Sequence, residues 1–278
     1  MTPQAVLCQS MVQHSPAAMR RHFLAPHRCY WGTKTVERTE DLQGAKSLPF
    51  VLGVIAGSVD VIGFLGLDGL FTAHITGNLV ILAAHIVAGG DASLALMISV
   101  PVFIVALAGT RLLAGGLERA RIAPLQVLLL LQLVLLCGFL ALCIAAGTRV
   151  NPNAPSMIVA GMLGVSAMAV QNALVRIALT GAPSTAVLTT NITLLTTDVG
   201  EMIFGRDATR VAKARDRAKH TWPAVAGFLL GCTLGAACEA VFGLRSLVVP
   251  TGLALIALVL GVGASPSPAK AASSVREK

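Results

Sequence analysis

The chain has 278 residues, of which 55% are hydrophobic and only 12% charged, and its mean hydropathy is +0.78. A water-soluble domain carries roughly 25% charged residues, so a soluble fold would leave far too much apolar surface bare, and the composition is that of a bilayer protein. The excess of 21 basic over 13 acidic residues then reads as the orientation signal of a multipass protein, and not as a nucleic-acid footprint.

Residues 1–47 form a polar, mixed-charge tail in which Arg20, Arg21, Arg28, Lys34, Arg38 and Lys46 alternate with Glu37, Glu40 and Asp41. It lacks an apolar run that could serve as a secretory core, and either a disordered cytoplasmic tail or an over-extended start site is expected. A transmembrane domain follows over 48–265, with hydrophobic stretches at 49–67, 71–89, 94–114, 124–147, 156–179, 182–204, 222–243 and 246–264. A span needs roughly 20 mainly apolar residues. Six stretches meet that condition, while 71–89 and 182–204 are interrupted by polar residues. Residues 266–278 have the composition of a second disordered tail.

The two interrupted stretches resemble each other. Gly69 to Leu82 reads GLFTAHITGNLVIL, and Ala182 to Leu195 reads APSTAVLTTNITLL. Thr72, Ala73, Thr76, Asn78 and Leu82 meet their own residue type at Thr185, Ala186, Thr189, Asn191 and Leu195. A polar insertion that occurs twice points to an all-α polytopic helical bundle of two related halves, about 48–147 and 156–265.

Charge placement constrains the topology. Arg111, Arg119 and Arg121 flank one loop, and Arg206, Arg210, Lys213, Arg215, Arg217 and Lys219 fill another. Placing both loops and both tails in the cytoplasm requires six full crossings, with the two polar segments broken or re-entrant. The halves are then inverted relative to each other. The alternative is eight crossings with parallel halves, which misplaces only the loop holding Arg119 and Arg121, partly offset by Glu118.

Several residues could carry chemistry. Asp60 lies deep in the first span, where a carboxylate costs several kcal/mol (about 2.5–3.5 on insertion scales) without a partner, a hydrated cavity or a proton. It could serve a proton-coupled carrier, or be a protonated Asp that ties two helices together. His74, Asn78 and His85 share one helical face. In the second copy Asn191 matches Asn78, and Asp198 stands opposite His85. Gly77 permits a helix break beside Asn78, whereas Thr190 occupies the matching place. Asp198 and Glu201, three apart, could share a proton or be solvated charges at a helix end. The same side chains could also be ordinary inter-helix hydrogen bonders. A metal held by His74, His85 and Asp60 would have no specific spacing behind it, and no metal or cofactor is expected.

Gly227, Gly231 and Gly235 form a ladder at four-residue spacing, and Gly53 and Gly57 a shorter one, as close helix packing requires. Glu239 continues the longer ladder and is the residue there that could face a cavity. Arg210, Lys213 and Arg217 share a face that could lie against anionic lipid, or simply mark the cytoplasmic side. Four of the six cysteines lie within apolar stretches and none has zinc-like CxxC spacing. Phosphate-loop, GxSxG and HExxH signatures are missing, so no enzyme is expected.

AGSVDVIGFLGL followed by FTAHITGNLVIL resembles the signature of the YoaK-type family of bacterial inner-membrane proteins, in which a Gly-x-x-Asp precedes a Thr-Gly-Asn motif. Here these are Gly57 and Asp60, then Thr76, Gly77 and Asn78; QNALVR (Gln171 to Arg176) and TTNIT (Thr189 to Thr193) are similar to its later block. The resemblance covers 49–264 and implies a multipass inner-membrane fold with no assigned substrate.

The expected function is that of a small secondary transporter or channel-like carrier of a small polar solute or ion. Asp60, His74, Thr76, Gly77, Asn78 and His85 would line the site from one half, and Asn172, Asn191 and Asp198 from the other. The alternative is a non-transporting assembly protein that binds another membrane subunit, a second copy of itself, or anionic lipid. Nucleic acid is not an expected partner.

Overall fold

The computed structural model describes residues 47–89, 93–147, 150–179 and 188–263. The tails, and the opening of the second polar copy with Thr185, Ala186 and Val187, lie outside the described residues. The described elements are helical: α1 (Leu48–Gly66), α2 (Ile75–Val87), α3 (Leu94–Arg119), α4 (Pro124–Ala145), α5 (Pro155–Ala178), α6 (Leu188–Phe204), α7 (Ala208–Phe242) and α8 (Val248–Gly263). A 3-10 turn, Gly243–Leu247, joins the last two. Five stretches are long and apolar enough to cross a membrane: α1, α3, α4, α5 and the run Ala208–Val262 that contains α7 and α8.

The helix starts follow from local chemistry. Proline occupies the first turn of α1, α4 and α5, where its missing N–H has no intrahelical partner to lose. Asp207 caps α7 by accepting the N–H groups of Thr209 and Arg210. That cap corrects the expected basic loop. Arg210, Lys213 and Arg217 lie not in a loop but in the first turns of a 35-residue helix, built there from good helix formers. Arg111 and Arg119 likewise belong to α3, which continues past the expected end at 114. Pro223 sits inside α7 and Pro101 inside α3; each removes one backbone hydrogen bond, and neither ends its helix.

The tightest packing is between α1 and α7. A Cβ on Gly53 would stand 2.8 Å from the Ala224 carbonyl oxygen, and one on Gly57 would overlap that of Phe228. From the other side, Gly227 abuts the Phe50 carbonyl, Gly231 that of Val54, and Gly235 lies against Ser58. Side chains at these positions would force the backbones apart. Residue numbers rise together across the contact, so α1 and α7 run parallel.

The remaining directions follow from residue pairs. Gln132 meets Gln171, while Gly164 faces Phe139, so α4 and α5 are antiparallel. Gln171 donates to the Leu52 carbonyl, while Gly161 faces Leu67 and Leu70, so α5 opposes α1. Gly261 of α8 meets Leu125 and Leu129 at the start of α4, which makes α8 antiparallel to α4 and to α7. The chain therefore reverses in the 3-10 turn. There Gly243 has φ 59° and ψ −150°, a region almost reserved for glycine.

The core lies along α1 and α5, both largely buried. Around it, α3 packs on α5 and α2 on α3, while α6 contacts only α7 among the described residues. The outer side of α3 exposes Val105 at 71% and Leu112 at 78%, as a face bathed in hydrocarbon would.

Candidate functional site

The polar residues of the first half converge where α2 begins. After α1 the chain turns through Asp68 and Gly69, both with positive φ. The Gly69 N–H reaches back to the Phe64 carbonyl at 3.0 Å. The loop then folds down beside α1 instead of leaving it, and one carboxylate holds it there. Asp60 Oδ1 accepts the backbone N–H groups of Thr72 (2.8 Å), Ala73 (2.6 Å) and His74 (3.3 Å). Successive N–H groups aimed at one point form an anion nest. Here the protein fills that nest with its own side chain.

The second oxygen of Asp60 meets His74 Nδ1 at 2.5 Å. The carboxylate is only 2% exposed; a buried carboxylate is tolerable only when paired and hydrogen-bonded, as this one is. With Nδ1 engaged, Nε2 is the end of the imidazole left to exchange a proton or meet a solute. The ring stands edge-on to Phe71 and Phe228, with centroids 5.9 and 5.4 Å away, and Phe71 in turn stacks on Phe64 at 4.6 Å. His74 thus belongs to an aromatic patch joining α1, α2 and α7.

Asn78 makes the second tie. Its Oδ1 accepts the Phe71 N–H at 2.9 Å and its Nδ2 donates to the Phe71 carbonyl at 2.8 Å, a two-point clamp on one peptide. Only an amide supplies donor and acceptor at that spacing. Nδ2 also donates to Ser99 Oγ at 3.0 Å, which fastens α2 to α3. Gly77 lies where a Cβ would stand 2.8 Å from the Phe71 ring. Thr76 is exposed, and His85, half-buried two turns further along α2, has no hydrogen bond or ion pair among the described residues.

The residues expected from the second half do not join this group. Among the described residues α2 and α6 do not touch, and those residues bring together no single site lined by both polar segments. The physical reason lies in the packing: each short helix leans on the long helix that follows it. Asp198, 3% exposed, pairs instead with Arg217 of α7 through Nε at 3.0 Å and Nη2 at 2.5 Å. Arg217 precedes Phe228 by 11 positions, about 16 Å along a helix, so this pair is well separated from Asp60. Asn191 is buried in α6. Asn172, 7% exposed on α5, has an Oδ1 without a hydrogen-bond partner.

Two features were not expected from sequence. Ser99 completes the Asn78 clamp, yet a lone serine in an apolar helix gives no distinguishing signal. Gln132 and Gln171 form a buried link at 2.7 Å that continues to the Leu52 carbonyl at 3.0 Å. Its signal was present, since Gln132 is the one polar residue in the oily run VLLLLQLVLLCGFLAL. Among the described residues, no three His, Cys, Asp or Glu side chains gather as a metal site would need.

No curated protein and no solved structure matches the chain. A family model does match, over residues 48–260, which takes in α1 through most of α8 and every residue of the Asp60 site. Apolar membrane-length helices and the polar hub at the start of α2 are thus features of a chain that belongs to the family described as "Protein of unknown function (DUF1275)".

Proposed function

We propose that this integral membrane protein is a small secondary transporter or channel-like carrier of a small polar solute or ion, in a bacterial inner membrane with its N-terminus cytoplasmic. The observation that carries the reading is the Asp60–His74 pair. A buried carboxylate deep in an apolar helix orients an imidazole whose outer nitrogen has no protein partner among the described residues, at the start of a helix that begins within the bundle. Ionisable groups placed in spans at such cost ordinarily serve a solute or proton path. Half-helices that start at mid-depth ordinarily present backbone dipoles to what passes. No catalytic residue is part of this reading.

Helix packing supports two inverted halves with six crossings. α1 leans on α7 as α5 leans on α3, α4 meets α5 as α8 meets α1, and α2 rests on α3 as α6 rests on α7. Each helix of the first half corresponds to one running the other way in the second. The contact of α3 with α4 is the exception, having no counterpart between α7 and α8. A reporter fused at Gly116 tests this arrangement, with a cytoplasmic location expected and an outside location overturning it.

The transport test is uptake of small ions and metabolites into proteoliposomes carrying the full chain, with and without an imposed proton gradient. Uptake that survives unchanged in both Asp60→Asn and His74→Gln rejects this site. The assembly reading has its own observation. α6 contacts only α7 and leaves Ile192, Leu194, Ile203 and Phe204 exposed, a surface a second copy or another subunit could cover. Stoichiometric crosslinking through α6, in a protein that transports nothing, would favour it.

A further inference from the structure

A second polar feature lies at the end of the bundle where α1, α4 and α7 finish. A cavity of about 600 Å³ opens there, within the range that small-molecule sites occupy. Leu65, Val241 and Phe242 supply apolar wall, and among the described lining residues Glu239 and Arg245 supply one charge of each sign. Glu239 is half-buried, one turn before the end of α7, and Arg245 stands exposed in the 3-10 turn. The left-handed Gly243 reverses the chain between them, so both charges border the same space; a Cβ there would meet nothing within 4 Å.

The two charges do not satisfy each other. Neither Glu239 nor Arg245 forms an ion pair or a side-chain hydrogen bond among the described residues. Opposite charges facing one cavity ordinarily close on each other when nothing separates them. Unpaired with each other, they suit a solute that bears both signs. A monovalent ion would compensate one wall and leave the other unmatched, whereas a zwitterion places an ammonium on the carboxylate and a carboxylate on the guanidinium fork.

We propose that this cavity binds a small zwitterion of the α-amino-acid class with an apolar side chain, its ammonium on Glu239 and its carboxylate on Arg245. The site is distinct from the Asp60 hub. Glu239 lies seven positions beyond Cys232, which packs beside Gly57 on α1, or about 10 Å further along the helix. The proposal does not depend on transport, because it concerns binding by the purified chain.

The test is calorimetric titration of the full-length protein in detergent with L-leucine, and with its two single-charge analogues, isoamylamine and 4-methylpentanoate. Saturable binding of L-leucine is expected, with each analogue at least about tenfold weaker. Glu239→Gln and Arg245→Gln should each weaken L-leucine by a similar factor. Absence of saturable L-leucine binding overturns the proposal, as does an analogue that binds equally well or a pair of variants that bind like the parent chain. Should either variant fail to run as a single species on gel filtration, the analogue series on the unmodified protein decides alone.

Discussion

The two polar copies have similar sequences and different fates. In the first, the acid and the amide at the start of α2 are turned inward, while Thr76 is exposed. Asp60 takes three backbone N–H groups and an imidazole, and Asn78 clamps Phe71 and reaches Ser99. In the second, the buried Asp198 turns to its own hairpin and grips Arg217 near the basic start of α7. The α5 amide Asn172, adjoining the Gln132–Gln171 link, is left with an unpartnered oxygen. A repeated motif therefore does not imply a repeated site. What each copy does depends on what the preceding helix offers it, a carboxylate in α1 and no carboxylate in α5.

The sharpest way to break this comparison is to remove the two anchoring groups. Asp60→Ala leaves three buried N–H donors and an imidazole without a partner, a loss of about 3 kcal/mol or more. Asn172→Leu, which removes a side chain that bonds to nothing, should alter stability by less than about 1 kcal/mol. Denaturant unfolding in mixed micelles measures both, and equal losses would end the distinction. Asp60→Asn separates anchoring from charge, since it keeps Oδ1 for the backbone and should retain most of the stability that alanine loses.

Asn78→Ala comes next. It deletes both halves of the Phe71 clamp and the Ser99 link, and about 2 kcal/mol is expected. Amide exchange at Phe71 should quicken while exchange in α5 stays slow. The smallest effect belongs to the hairpin of the second copy. Arg217→Gln should lower the melting temperature by only a few degrees, because the guanidinium is largely exposed. Combining it with Asp198→Asn should recover most of that loss, since the buried carboxylate would then no longer want a cation. A double variant less stable than either single one would show that α6 is held by something other than this pair.

Much of the fold was legible because the signals are local. Hydrophobic runs marked α1, α4, α5 and α8 to within a few residues, whereas α3 and α7 extend well beyond theirs, and the Gly53–Gly57 and Gly227–Gly235 spacings are those of helices in backbone contact. The basic segment from 206 to 219 misled because charge density reads as a loop, whereas alanine, arginine and lysine behind an Asp cap build a helix regardless of where the membrane ends. Within the site, Asp60, His74 and Asn78 could be picked out as polar residues in oily surroundings. Their partners could not, because those partners are the backbone amides of 72–74 and the Phe71 peptide, groups every residue owns.

From residue order alone came the membrane setting, the helical class, and the polar residues that stand out in oily surroundings. These rest on composition and on spacing along one strand of chain, which need no knowledge of neighbours. Tertiary structure alone decided that Asp60 serves the loop that follows its own helix, that Asp198 turns to α7, and that Glu239 and Arg245 border one cavity. Each of those outcomes depends on which helices lie side by side and in which direction they run, and close packing between distant segments sets both.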